Sequence, residues 1–127
     1  MGSEVRDGLK YTDTHEWIKL GGETVHIGIT DHAQSELTDI VFVELPQVGK
    51  EIQKGDELCV VESVKSVSEI NSPISGKVIN VNTKLEDNPE IINENPYDEG
   101  WLVEIKIENK EELINLLESK EYKKLIE

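Results

Sequence analysis

The apolar residues of this chain come in short runs, each closed within a few positions by glycine, proline, asparagine or aspartate. Trp17-Ile18-Lys19-Leu20 stops at Gly21-Gly22, and Thr24-Val25-His26-Ile27-Gly28-Ile29 stops at Thr30-Asp31. Ile40-Val41-Phe42-Val43-Glu44-Leu45 ends at Pro46 and Gly49, and Leu58-Cys59-Val60-Val61 follows a turn at Lys54-Gly55-Asp56. Such runs favour β-branched residues and are too short for a core helix, so they predict strands. The first pair reads as a hairpin in which Gly21-Gly22 supplies positive φ angles. Trp101-Leu102-Val103-Glu104-Ile105-Lys106-Ile107 is the closing strand. The pattern predicts a mainly β fold with helices at its periphery.

Two segments carry helical signals. Thr30-Asp31 can cap a short helix through Leu37, with Asp31 and Gln34 at capping-box spacing and Ala33 and Leu37 on the buried side. Past Asn109 the period changes: Leu113, Leu116 and Leu117, then Tyr122, Leu125 and Ile126, predict a C-terminal helical segment over 110–127, as one helix or two short ones. Residues 86–100 read as a polar, broken loop. Residues 1–8 read as a flexible N-terminus, and 1–127 as one domain. Pro46, Gly49, Lys50 and Ile52 recur 27 positions later as Pro73, Gly76, Lys77 and Ile79, an echo that would make two similar β units.

Charge narrows the function. Among 127 residues, 27 acids against 13 bases give a formal net charge of −14. That field repels phosphate backbones and anionic lipid, which argues against nucleic-acid or membrane partners. The single cysteine, Cys59, excludes an internal disulfide framework and a multi-cysteine zinc site. No stretch has the apolar length of a transmembrane helix, and the N-terminus lacks signal-peptide and transit-peptide character. A cytoplasmic location is expected, or the mitochondrial matrix if a transit peptide has been removed.

No catalytic centre can be composed from the sequence. His15, His26 and His32 lack metal-ligand spacing, and no metal site is expected. Cys59 sits in an apolar strand and reads as an inert core thiol. There is no glycine-rich phosphate loop and no GxSxG. One segment stands apart: Val60-Val61-Glu62-Ser63-Val64-Lys65-Ser66-Val67-Ser68-Glu69-Ile70 sets a lone lysine among valines and serines. On composition alone Lys65 is a solvated lysine at a strand edge. The sharper reading is a presented lysine, on a turn whose small neighbours leave the amine open to a modifying enzyme.

Glu62-Ser63-Val64-Lys65-Ser66, followed by Asn71-Ser72-Pro73-Ile74-Ser75-Gly76, resembles the lipoylation region of the glycine cleavage system H-protein family. The likeness extends through Thr14-His15-Glu16-Trp17, Gly28-Ile29-Thr30-Asp31-His32-Ala33-Gln34 and Asp39-Ile40-Val41-Phe42-Val43-Glu44-Leu45-Pro46. It continues in Asn80-Val81-Asn82, Asn95-Pro96-Tyr97 and Gly100-Trp101-Leu102, so that the blocks span roughly 9–126 in the family's order. Two positions depart: Thr38 falls where the family usually has glycine, in the turn after the short helix. Cys59 falls where a small residue is usual, and could change packing beneath the hairpin.

The resemblance implies a flattened barrel-sandwich of the lipoyl- and biotinyl-carrier type, with Lys65 on an exposed hairpin. It implies a carrier, not an enzyme, bearing one covalent lipoate on Lys65 within the motif Ser63, Val64, Lys65, Ser66. It implies partners in turn: glycine decarboxylase (P protein), aminomethyltransferase (T protein) and dihydrolipoyl dehydrogenase (L protein), plus a lipoate ligase or lipoyl/octanoyl transferase that installs the group. The acidic surface would suit steering toward basic docking patches or serve solubility alone. The resemblance also implies a cleft that shelters the loaded arm, near Thr14, His15, Glu16 and Glu69, where the Glu16 carboxylate could pair with the cargo's ammonium. A relay protein that passes lipoyl or octanoyl groups to other complexes is the alternative. A 2-oxoacid dehydrogenase lipoyl domain would carry Asp-Lys-Ala rather than Val64-Lys65-Ser66, and a biotin carrier would flank its lysine with methionine. An enzyme would need a partner group around Cys59 or His32. A free monomer suits a shuttle.

Overall fold

Strand β2 (Glu16–Gly21) and strand β3 (Thr24–Ile29) pair antiparallel in full register, with Gly21 opposite Thr24 across a two-residue turn. The computed structural model describes residues 3–127. In that turn only Gly22 adopts a positive φ, +74°, so one glycine, not both, meets the conformational need. Strand β1 (Lys10–Tyr11) flanks β2. β9 (Val103–Ile107) pairs with β3, β8 (Gly76–Val81) with β9, and β5 (Glu51–Ile52) with β8. With β10 (Leu117–Glu118) beyond β1, this makes a seven-stranded sheet, β10-β1-β2-β3-β9-β8-β5. A second sheet of three strands, β4-β6-β7, is built from Ile40–Glu44, Glu57–Ser63 and Val67–Asn71. The two sheets form an open, flattened barrel-sandwich.

Alternation explains how both are filled. Ile18, Val25, Ile27, Val61, Ile70, Val78 and Ile105 are buried in one continuous core. Each such side chain contributes about 1.5–3 kcal/mol relative to exposure. Trp17 projects to the opposite face of β2 from Ile18. There it joins Tyr11, Tyr97 and Tyr122 in a separate aromatic cluster. The first half of β2, Glu16 to Ile18, is therefore covered on both faces, while Lys19 to Gly21 are exposed.

Helix α1 (Asp31–Leu37) is capped by Thr30, whose Oγ1 accepts from Ala33 N at 3.2 Å. The Asp31–Gln34 pair does not form a capping box. Gln34 instead donates to Asp31 Oδ1 across the first turn. Ala33 and Leu37 pack on the core only partly buried. The 86–100 segment is more ordered than its composition predicts: helix α2 (Lys84–Asp87) enters it, and α3 (Ile91–Glu94) within it buries Ile92. The C-terminal segment breaks into a 3-10 helix (Lys110–Asn115), β10 and helix α4 (Ser119–Ile126). Leu117 lies opposite Tyr11 as a strand residue rather than on a helical face. Its backbone finds an unpaired edge there, which no helical period could announce.

One further expectation changes. The echo is not a structural repeat, because Ile52 is buried while Ile79 is exposed. Gly49 is needed for its φ of +99°, whereas a Cβ on Gly76 would sit 2.1 Å from Lys106 O. Within the 1–8 segment, Arg6 bonds Asp98 and lies over the Tyr97 ring, and Glu4 N donates to Asp31. Met1 and Gly2 lie outside the described residues. Among the described residues no helix is long and apolar enough to cross a membrane.

Candidate functional site

Strands β6 and β7 are paired as far as Glu62 opposite Val67, which leaves Ser63 to Ser66 as the connection. Ser63 is buried and holds this turn from within. Its Oγ accepts from Lys65 N at 3.1 Å and Ser66 N at 3.0 Å, and its own N–H donates to Ser66 O at 2.8 Å. A serine hydroxyl accepting from residues two and three ahead is a local substitute for a backbone turn. Val64 N is anchored separately on Asp39 O at 3.0 Å. The backbone is thus fixed while the side chains of Val64, Lys65 and Ser66 face solvent. Lys65 Nζ donates to Glu36 O at 3.2 Å, a carbonyl in the last turn of α1. Such carbonyls lack helical partners and attract cations.

Glu36 belongs to the rim of a cleft of about 450 Å³ between α1, the 13–16 turn and β7. Thr14, His15, Glu16 and Glu69 all line it, with Ile29, Ala33 and Leu37 on the apolar side. Thr14 and Glu69 are exposed. Glu16 is only 3% exposed, and its Oε1 accepts from Thr12 and Thr14 hydroxyls, each at 2.7 Å. Burial pushes its carboxyl above the ordinary range, against the two hydroxyl donors that favour the anion. The cleft therefore combines an apolar wall with a buried carboxyl group, and the Lys65 amine bonds the backbone of Glu36, one of its lining residues. That arrangement suits a flexible arm with a cationic tip.

The cleft's walls are held from behind by residues that sequence reasoning passed over. Tyr122 OH lies 2.8 Å from His15 Nδ1 and 2.7 Å from Thr30 Oγ1. Asn93 of α3 donates to Gln34 Oε1 and Thr38 O, and its Oδ1 accepts from Ile40 N, closing the C-terminal end of α1. Among the described residues, Thr38 and His15 are the non-glycine residues with positive φ, at +66° and +74°. Burial and the neighbouring His32 ring push the His15 imidazole below its ordinary value. Cys59 is buried, and burial pushes its thiol well up, which leaves it unreactive. Among the described residues no three His, Cys, Asp or Glu side chains gather as a metal centre.

The sequence profile of the glycine cleavage H-protein family matches residues 9–127. The chain belongs to the glycine cleavage H-protein family. It is 54% identical over 125 residues to the mitochondrial glycine cleavage system H protein of Mesembryanthemum crystallinum, covering 98% of this chain and 76% of that one. It is 52% identical over 118 residues to the glycine cleavage system H protein of Staphylococcus haemolyticus, covering 93% and 94%. The crystal structure of a glycine cleavage system H protein from Mycobacterium marinum superposes with a TM-score of 0.85 at 37% identity, covering 93% and 95% of the two chains. Proteins of this family are lipoyl carriers, and their role is to shuttle the aminomethyl group of glycine between the enzymes of the glycine cleavage system.

Within that family the Thr38 departure now has a physical meaning, since its backbone adopts the conformation glycine favours. Cys59 fits the core below the hairpin at 3% exposure. Thr30 was legible only as a cap; its bond to Tyr122, 92 positions away, and the bonds of Asn93 to Ile40 and Thr38, 53 and 55 positions away, carried no local signal.

Proposed function

We propose that Lys65 carries the lipoyl group as an amide and that the cleft lined by Thr14, His15, Glu16 and Glu69 receives its loaded end. The observation that carries this reading is the buried Ser63 hydroxyl, which fixes the turn backbone while leaving the lysine side chain exposed beside the cleft. The bound lipoyl group would supply a strained cyclic disulfide that opens to accept cargo on sulfur. Everything else falls to the chain itself. Acylation removes the lysine charge, so the arm leaves Glu36 O without an ammonium to desolvate. Ile29, Ala33 and Leu37 exclude water from the arm's apolar length. Glu16, drawn toward the anion by an incoming cation, would pair with the cargo's ammonium, and Thr12 and Thr14 would hold that carboxylate in place. The chain acts as a carrier, and the chemistry belongs to P, T and L proteins that dock in turn, after a lipoate ligase or transferase loads it. Bacterial cytoplasm or mitochondrial matrix is the expected compartment.

Intact mass after incubation with a lipoate ligase, ATP and lipoate tests the attachment. One lipoyl adduct is expected on the wild type and none on Lys65→Ala. A folded wild type that takes no adduct refutes it.

A further inference from the structure

The geometry points to Tyr122, on the C-terminal helix, as the positioning residue that holds the two walls of the cleft in register. Tyr122 is fully buried outside the main core, its ring stacked on Tyr11 with centroids 4.6 Å apart and planes 5° apart. Its hydroxyl bridges the two walls through side chains. On one side it reaches His15 Nδ1 at 2.8 Å, the residue between Thr14 and Glu16. On the other it reaches Thr30 Oγ1 at 2.7 Å, and that same oxygen accepts from Ala33 N as the cap of α1. Thr30 N in turn donates to His15 O at 3.0 Å, which closes a ring of contacts around the phenol.

Each link has a consequence for the cleft. His15 sits at a φ of +74°, a conformation a histidine keeps only when its surroundings hold it. The Tyr122 bond, with the tilted His32 ring 4.7 Å from the imidazole, provides that hold. Releasing it removes the side-chain restraint on His15 and leaves the 13–16 turn to its backbone bonds, His15 N to Thr12 O at 3.2 Å and Thr30 N to His15 O at 3.0 Å. Freeing Thr30 loosens the first turn of α1, whose far end meets the Lys65 amine through Glu36 O. Helix α4 adds no residue to the cleft lining, yet it sets the distance between the two sides. Ala33 N donates to Thr30 Oγ1, and the Tyr122 hydroxyl can either accept from Thr30 and donate to His15 Nδ1 or accept from His15 Nδ1–H and donate to Thr30.

Tyr122→Phe keeps the stacked ring and deletes only the hydroxyl. Tyr11→Phe is the matched control, since it deletes a hydroxyl from the same stack whose bonds go to the Arg6 backbone instead. Amide hydrogen exchange on the unmodified protein is the first readout. Tyr122→Phe is expected to speed exchange at Glu16 and Ala33 by about tenfold, with Val61 and Ile105 unchanged, because local opening is independent of the core. Tyr11→Phe should speed neither Glu16 nor Ala33. The His15 ring nitrogen shifts should move in Tyr122→Phe only. Unchanged exchange at Glu16 and Ala33, or an equal acceleration throughout the core, overturns the inference.

The effect on the loaded arm rests on the carrier reading above. In lipoylated protein the aminomethyl-loaded arm should lose its cargo to water about tenfold faster in Tyr122→Phe, the order expected when a positioned group is released. An unchanged lifetime beside accelerated exchange would refute a role in sheltering. A wild type that takes no lipoyl adduct would refute the carrier reading and leave the exchange result to decide the positioning role.

Discussion

Replacing Thr38 by glycine should stabilise this protein. Thr38 ends α1 at φ +66° and ψ −149°, a region that β-branched residues almost never occupy. Holding a non-glycine residue there costs about 1–3 kcal/mol. Glycine brings back about 0.5–1 kcal/mol of unfolded-chain entropy. The threonine side chain contributes little to offset this, because it is exposed and its hydroxyl only bonds the adjacent Leu37 carbonyl. Both backbone contacts survive substitution: Thr38 N to Gln34 O at 2.9 Å, and Asn93 Nδ2 to Thr38 O at 2.8 Å. The net gain is about 0.5–2 kcal/mol, which for a domain of this size raises Tm by about 2–8 °C. Thr38→Ala keeps the Cβ and with it the strain, so it should show no gain. Calorimetry on the three proteins decides the matter, and a Thr38→Gly variant that melts no higher than Thr38→Ala refutes the strain argument. Lipoylation at Lys65 should be unaffected, since Glu36 O and Asp39 O keep their places on either side of the substitution.

Three other substitutions probe the site and its support. Ser63→Ala strips the acceptor from Lys65 N and Ser66 N, which should cost about 1–2 kcal/mol in urea unfolding. It should also slow ligation at Lys65 by about tenfold through loss of a fixed turn; unchanged ligation kinetics would show the turn to be self-supporting. For Glu16 the folded carboxyl holds its proton more tightly than the unfolded one. Its stabilising contribution is therefore complete below the ordinary carboxylate value and lost as pH rises through the raised folded value. Glu16→Gln should then melt higher than wild type, with the advantage growing as pH rises from the ordinary carboxylate value through the raised folded one, and should shorten the life of the loaded arm; a constant offset across pH would contradict the burial argument. Gly28→Ala would put a Cβ 2.6 Å from the Trp17 indole, which is pinned through Nε1 to Pro96 O at 2.9 Å. A loss of about 1–3 kcal/mol is expected in urea unfolding, and no loss would mean the indole can shift.

The strands were legible because period and punctuation are local. Val25, Ile27 and Ile29 alternate and their run ends at a capping residue, so both their strand and its buried face follow from spacing alone. The lysine turn was legible too, since Ser63 to Ser66 is a contiguous stretch. What its serine does was not: a small residue beside a lysine reads as space, while the structure buries Ser63 and turns its oxygen on two backbone donors. Residues 86–100 failed for the opposite reason. Their polar composition hid Ile92, which tertiary contact fixes in a single-turn helix too short to carry a period of its own.

The sequence by itself determined a mainly β chain of short strands, its acidic character and the lysine-bearing hairpin, because each rests on neighbours within a few residues. Tertiary structure decided the cleft. Glu16, Glu36 and Glu69 come from three separate elements, and only the packing of α1 against the 13–16 turn and β7 gives them a common space. It also decided what supports that space, a tyrosine hydroxyl 107 positions from the histidine it holds. Closing so long a loop costs entropy that a single hydrogen bond cannot offset. The contact forms because the aromatic cluster has already brought α4 against β1, and no local pattern encodes a bond whose existence depends on the rest of the fold.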